Sequence, residues 1–213
     1  MNQEEIRKRN RELLSHYFPA GTSEIAYDWI QKYRFRFRIS RSRQTRFGDF
    51  QASLRADFPH KISVNHDLNP YAFLITFLHE VAHLITHNKY RDKVQPHGPE
   101  WKQEFSDLLL VFMNKQVFPE DIEQALNNTI LNPKASSCTD HQLFRVLKKY
   151  DQKPVVHLEE LPTDSIFSLG KNGIYKKGIK RRTRYLCQHM ESKKTYLISG
   201  IAEVQIITSS IPF

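Results

Sequence analysis

The sequence predicts an α+β protein, with helices packed on a small β-sheet and a β-rich region at the C-terminal end. Three observations carry this. Phe73, Leu74, Phe77, Leu78, Val81, Leu84 and Ile85 recur at helical spacing behind Asn69-Pro70, a side-chain cap followed by a proline with no N–H to lose. Upstream, residues 33–40 alternate aromatics with arginines, the period of a half-buried strand. Beyond Pro154, helical periodicity gives way to short apolar runs separated by turn residues.

Taken in order, residues 3–17 place Ile6, Leu13, Leu14 and Tyr17 on one side of an amphipathic helix that ends at Phe18-Pro19. A second short helix is expected over 25–31. The strand over 33–40 turns its aromatics inward and its arginines outward. A turn through Thr45, Arg46, Phe47, Gly48 and Asp49 leads into a second strand, and 61–65 forms a third that runs into the Asn69 helix. The next helix carries Trp101, Phe105, Leu108, Leu109 and Phe112, and Pro119 starts another through Asn127. Residues 132–137 read as a linker. A last helix over 139–150 has Leu143, Val146, Leu147 and Tyr150 on its apolar side. Strands are expected over 155–158, 165–169, 184–189, 195–199 and 203–208, with a hairpin break at 191–194. The expected division is one domain over 1–132 and a helix plus β-rich subdomain over 133–213.

A chain of 213 residues can bury a full core. Its 32 Lys and Arg outnumber 23 Asp and Glu, and the net charge of +9 favours a polyanionic partner. The positive residues gather in two clusters: Arg34, Arg36, Arg38, Arg41, Arg43 and Arg46, then Lys176, Lys177, Lys180, Arg181, Arg182 and Arg184. Such rows bind phosphates, so nucleic acid is the expected partner. No helix-turn-helix, RRM or homeodomain signature points to base reading. The first residues, MNQEEIRKRNRELL, hold no apolar signal core, and no run approaches the ~18 apolar residues of a membrane span. A cytoplasmic location without a membrane partner is expected. Cys138 and Cys187 imply no disulfide framework.

The chemistry concentrates at His79-Glu80-x-x-His83. At four residues' spacing the imidazoles stand one turn apart on one helical face, so both reach one ion and the adjacent carboxylate reaches a metal-bound water. That is zinc-hydrolase chemistry, with Glu80 as the catalytic base. A catalytic zinc has three protein ligands. On a straight helix His87 lies about 12 Å along the axis from His79, too far to share the ion. Glu100 and Glu104 are downstream carboxylates. His97 is the better choice, because Pro96-His97-Gly98-Pro99 is a rigid turn able to fold back over the metal.

Together, His79-Glu80-x-x-His83, the stretch with Asn88, Tyr90, Arg91 and Asp92, and His97-Gly98-Pro99-Glu100-Trp101 resemble the SprT-like zinc metalloprotease family, which includes the Spartan proteases. The resemblance is strongest over 61–112. It implies a zincin-like fold, zinc on His79, His83 and His97, Glu80 as base, and action on proteins crosslinked to DNA. Relatives often carry a C-terminal zinc ribbon of paired cysteines. This chain has no C-x-x-C, so its β region is expected to resemble a ribbon that has lost its cysteines, resting on Tyr185, Leu186, Tyr196 and Ile198. Cys138, His141, Cys187 and His189 match no standard structural site. Tyr90 and Arg91 are candidate oxyanion stabilisers. The alternatives to a protease are a DNA-binding scaffold with a structural or vestigial metal, and a hydrolase of a non-peptide substrate.

Overall fold

The computed structural model describes residues 2–43, 46–55, 57–131, 141–153 and 155–207. The chain divides into two compact units, Met1–Gln152 and Lys153–Phe213. The first contains α1 (Gln3–Ser15), α2 (Ser23–Tyr33), β1 (Arg36–Ser40), β2 (Gly48–Gln51), β3 (Lys61–Asn65), α3 (Pro70–Tyr90), α4 (Pro99–Met113), α5 (Glu120–Leu131) and α6 (His141–Lys148). The α+β class expected from the sequence is the class observed.

The first unit is built around α3. The expected single apolar face understates it: every residue from Ala72 to Ala82 is buried, because β2 and β3 pack on one side and α4 on another. Aromatic rings close the remaining gaps. Phe18 meets Phe73 and Phe77 edge-on at 5.1 and 5.2 Å, and Phe37 meets Phe77 at 5.3 Å. Each buried Phe contributes about 1.5–3 kcal/mol.

The sheet order is β1-β3-β2, with β1 parallel and β2 antiparallel to β3. Phe37 and Phe50 both register with Ile62, and Ile39 and Gly48 with Val64, which gives one face for the helix. The first strand begins later than the alternation suggests. Tyr33 still closes α2, and Arg34 takes a left-handed conformation (φ 51°) that breaks the chain out of the helix.

The expected boundary at 132/133 lies outside the described residues. The helix after it, α6, packs in the first unit, with Leu143 and Leu147 in that core. It is also tied to the start of α3. Asn69 Nδ2 donates to the Leu147 carbonyl (2.9 Å) and to Asp151 Oδ1 (2.7 Å), while its Oδ1 accepts from Ala72 N–H (3.0 Å).

The second unit holds β4 (Val156–His157), β5 (Ile166–Ser168), β6 (Ile174–Arg181), β7 (Arg184–His189), β8 (Thr195–Ser199) and β9 (Glu203–Ile206), ordered β4-β9-β5-β6-β7-β8. Its core is Leu158, Leu161, Phe167, Tyr175, Cys187, Ile198 and Val204. Of the four residues expected to hold this region, Ile198 is in the core and Tyr185 packs against it, while Leu186 is half-buried outside that core and Tyr196 is exposed. β6 is missing from the sequence reading because its lysines and Gly178 mask the alternation. A Cβ on Gly178 would strike the Leu186 carbonyl, and the ladder shifts register between Lys177 and Lys180. Cys138 lies outside the described residues, and Cys187 is fully buried. No described helix is long and apolar enough to cross a membrane.

Candidate metal centre

Capping by Asn69 and Pro70 sets the phase of α3, and that phase turns His79 and His83 to one side, one turn apart. Past the end of α3 the chain reverses through Arg91–Lys93 and returns at His97, itself left-handed (φ 58°). Gly98 follows because a Cβ there would sit 2.9 Å from the Gln95 carbonyl, and Pro99 opens α4. Fully buried Trp101 then braces the ligands, its ring 4.7 Å from those of His79 and His97 and 5.3 Å from that of His83.

The result is convergence of three Nε2 atoms. His83 lies 3.2 Å from His79 and 2.9 Å from His97, and His97 lies 3.3 Å from His79. One proton can relieve only one of these three nitrogen–nitrogen contacts; a cation between them relieves all three. Tetrahedral zinc with bonds of about 2.0–2.1 Å spaces its nitrogens about 3.3 Å apart, so the set fits one such ion. Among the described residues this is the group able to hold a metal. Burial lowers the proton affinity of all three rings, with neighbouring imidazoles adding to it for two. His79 falls well below its usual range, His83 to about 4, and His97 is lowered. At neutral pH all three therefore present lone pairs.

Glu80 is only 6% exposed. Burial, reinforced by Asp49, pushes its carboxyl up to about 8 against the opposing pull of Arg43, the Phe50 backbone N–H and Arg46. It fits because β2 carries glycine at position 48: a Cβ there would lie 2.8 Å from both Glu80 Cγ and Thr76 Cγ2. Asn65 organises the approach to β2. Its Oδ1 accepts from Arg43 Nε (2.8 Å) and Ser40 Oγ (3.2 Å), and its Nδ2 donates to the Arg43 and Arg46 carbonyls, both at 3.1 Å. Asn65 N–H donates to the Phe47 carbonyl at 2.8 Å.

The other candidates fall elsewhere. His87 stands against Phe50 and His60, away from the three nitrogens. Glu104 pairs with Lys89 at 2.6 Å, tying α4 to the end of α3, and Glu100 occupies the first turn of α4. Tyr90 ends α3, exposed, and Arg91 takes a positive φ just beyond it. Arg36 and Arg38 share the exposed face of β1, and Arg34 and Arg41 are exposed beyond its two ends. Arg46 pairs with Asp49.

In the second unit Lys180, Arg181, Arg182 and Arg184 surround the β6–β7 turn, lining a shallow groove with Thr183 and Leu197. Lys176 pairs with Asp164 at 2.8 Å. Lys177 is turned inward, 3% exposed, donating to the Glu159 and Leu161 carbonyls beneath the Tyr185 ring, where it meets no phosphate. Sequence reasoning missed Asn65, Gly48 and Trp101 as parts of the site. Gly48 read only as a turn residue, and Trp101 as helix packing and the last residue of the His97 motif, not as a brace for the three rings.

Residues 11–112 match the model of the SprT-like family. Over 27 residues the chain is 59% identical to Protein SprT of Pseudomonas fluorescens, a match covering 13% of this chain and 16% of that protein. No solved structure matches the chain.

Proposed function

With residues 11–112 belonging to the SprT-like family, we propose that this chain is a zinc-dependent endopeptidase associated with DNA and acting on proteins bound or crosslinked to it. The observation that carries the reading is the closure of three imidazole nitrogens beside one buried carboxyl group. His79, His83 and His97 would hold the ion. Zinc bound by three imidazoles supplies a Lewis acid that acidifies water and polarises a carbonyl. Glu80 takes the proton of the attacking water on its carboxylate and returns it to the leaving amine. A purely structural metal site needs no such group beside it.

β2 is an edge strand, and its Gly48 abuts Glu80. An extended peptide paired along that edge would lie beside the carboxylate. The link to DNA rests on the net charge of +9 and on the four cations around the β6–β7 turn.

The test is metal analysis with a proteolysis assay, with and without single- and double-stranded DNA, on the protein and its Glu80→Gln variant. About one zinc per chain is expected in both. Proteolysis should fall at least about a hundredfold in the variant while DNA affinity is unchanged. Equal turnover by the two proteins would remove Glu80 from the mechanism. Zinc without turnover by either would favour a non-proteolytic scaffold.

A further inference from the structure

We propose that Leu54 and Phe58, on the loop joining β2 to β3, form an apolar subsite that grips an unfolded, extended polypeptide several residues to one side of the bond to be cut. The inference rests on the peptidase reading given above and names what that site prefers.

The place of the loop follows from β2. Along this strand Gly48 lies against Glu80 and Thr76. Two residues on, the Phe50 ring lies parallel to that of His83 (6.4 Å, 5° between planes) and reaches His87 at 5.8 Å. β2 therefore runs past the metal-binding histidines of α3 towards the C-terminal end of that helix, and the loop leaves from there. Its base is closed by His60, whose Nδ1 accepts from the Ser53 N–H at 2.9 Å. The His60 ring packs on Phe50 and on His87, one turn of α3 beyond His83. A peptide paired along the open edge of β2 and continuing in the same line meets this loop next.

The loop is built to present apolar side chains. Leu54 is fully exposed and Phe58 is 51% exposed. Single apolar residues are common on protein surfaces, but these two stand on one stretch that is held in shape. The Arg55 carbonyl accepts from Ser53 Oγ (3.0 Å) and from Phe58 N–H (3.1 Å). The Arg55 guanidinium lies over the Phe58 ring at 4.6 Å and pairs with Asp57 at 3.3 Å, which offsets the charge beside the ring. Pro59 restricts Phe58 to an extended backbone. With its two charges answering each other, the tip offers a partner apolar surface, which suits leucine, valine or phenylalanine side chains better than a phosphate backbone. Leu54 comes six residues after Gly48, a reach of at most about 20 Å at about 3.3 Å per residue. Substrate residues about three to six positions from the scissile bond are therefore the ones it meets. Apolar segments are buried in folded proteins, so such a subsite selects chains that have lost their fold.

The test compares the parent with a Leu54→Ser/Phe58→Ser double variant, both full-length and zinc-loaded. On casein, an unfolded substrate, KM should rise at least about fivefold with kcat within about twofold. Peptides of about fourteen residues, built on a cleavage site mapped in casein, then carry Leu or Ser about four positions from the bond on either side. The parent should prefer Leu on one side only, and the double variant should show no preference. Zinc content and thermal transition should be unchanged. Leu54→Ser alone, which removes a side chain packed on nothing, should give part of the loss whatever the double variant does to folding. A second arm needs no catalysis. In the zinc-loaded Glu80→Gln background, the loop substitutions should weaken binding of a fluorescein-labelled, leucine-rich extended peptide at least about fivefold by anisotropy. Proteolysis with KM, side preference and binding all unmoved by the substitutions overturns the subsite and leaves the peptidase standing. Weakened peptide binding in a protein whose parent cuts nothing overturns the peptidase reading and leaves the subsite standing. Self-association, or capture by zwitterionic lipid vesicles, that the substitutions abolish while KM stays the same assigns the surface to a second copy or to lipid and overturns the proposal.

Discussion

Glu80 must ionise to work as a base, yet the fold holds it where charge is disfavoured, and this conflict has a measurable sign. Folded, its carboxyl titrates at about 8 against 4.5 for an ordinary glutamate, so the folded chain keeps a proton that the unfolded chain has lost. Metal-free protein should lose stability from this group as pH rises from about 4.5 to about 8. Glu80→Gln should remove that slope and gain on the order of 1–3 kcal/mol at the upper end, read by urea unfolding with chelator present. The three histidines act oppositely. Their lowered proton affinities mean that the unfolded chain takes up protons first, so stability is lost as pH falls below about 6.5 towards about 4. For the ligands themselves, His97→Ala should strip zinc, while His87→Ala and Glu104→Ala should retain it, by metal analysis after dialysis. His79, Glu80 and His83 were legible in the sequence because helical geometry alone aligns them. Asn65 and Gly48 were not, because their places arise only when the loop before β2 closes on the end of β3 and β2 packs against α3.

At the scale of elements, β2 shows how a short strand can decide chemistry. Its glycine lies against the Glu80 carboxyl group, and a methyl group there must push Glu80 or Thr76 aside. Gly48→Ala should therefore lower proteolysis at least about tenfold and destabilise the fold by about 1–3 kcal/mol, with zinc content unchanged. Retained activity with full stability would show that the carboxylate has another place to sit. The long helices α3 and α4 could be read from spacing, because burial imposes a period of 3.6 residues on what they carry. β6 could not. Four of its eight residues are Lys or Arg and one is glycine, so charge and bulge conceal the alternation that Tyr175 and Lys177 obey in the folded sheet. The alternation over 33–40 misled in the other direction, since Tyr33 and Arg34 continue its pattern while belonging to the end of α2.

For the whole molecule, two compact units allow separable functions to be tested separately. A chain ending at residue 152 should fold, bind zinc and keep its thermal transition. One ending at residue 132 should lose several degrees or fail to fold, because Leu143 and Leu147 leave the core and the cap of α3 loses two of its bonds. Reversing Lys180, Arg181, Arg182 and Arg184 to glutamate should weaken DNA binding and flatten its salt dependence, with zinc content unchanged. Cleavage of a DNA-tethered protein should then fall, while slow cleavage of a free unfolded peptide persists. Unchanged DNA affinity would reduce the charge on that turn to a solvated surface.

The bonds from Asn69 to Leu147 and Asp151 also give the centre an order of assembly in time. A ribosome making this chain delivers His79, His83 and His97 by residue 97, but the residues that lock the start of the helix carrying the first two arrive some fifty positions later. A nascent chain thus has its ligands before it has its lock. Tying the first turn of that helix to a segment made so much later places the cap of the helix last in the order of synthesis, after all three histidines it positions.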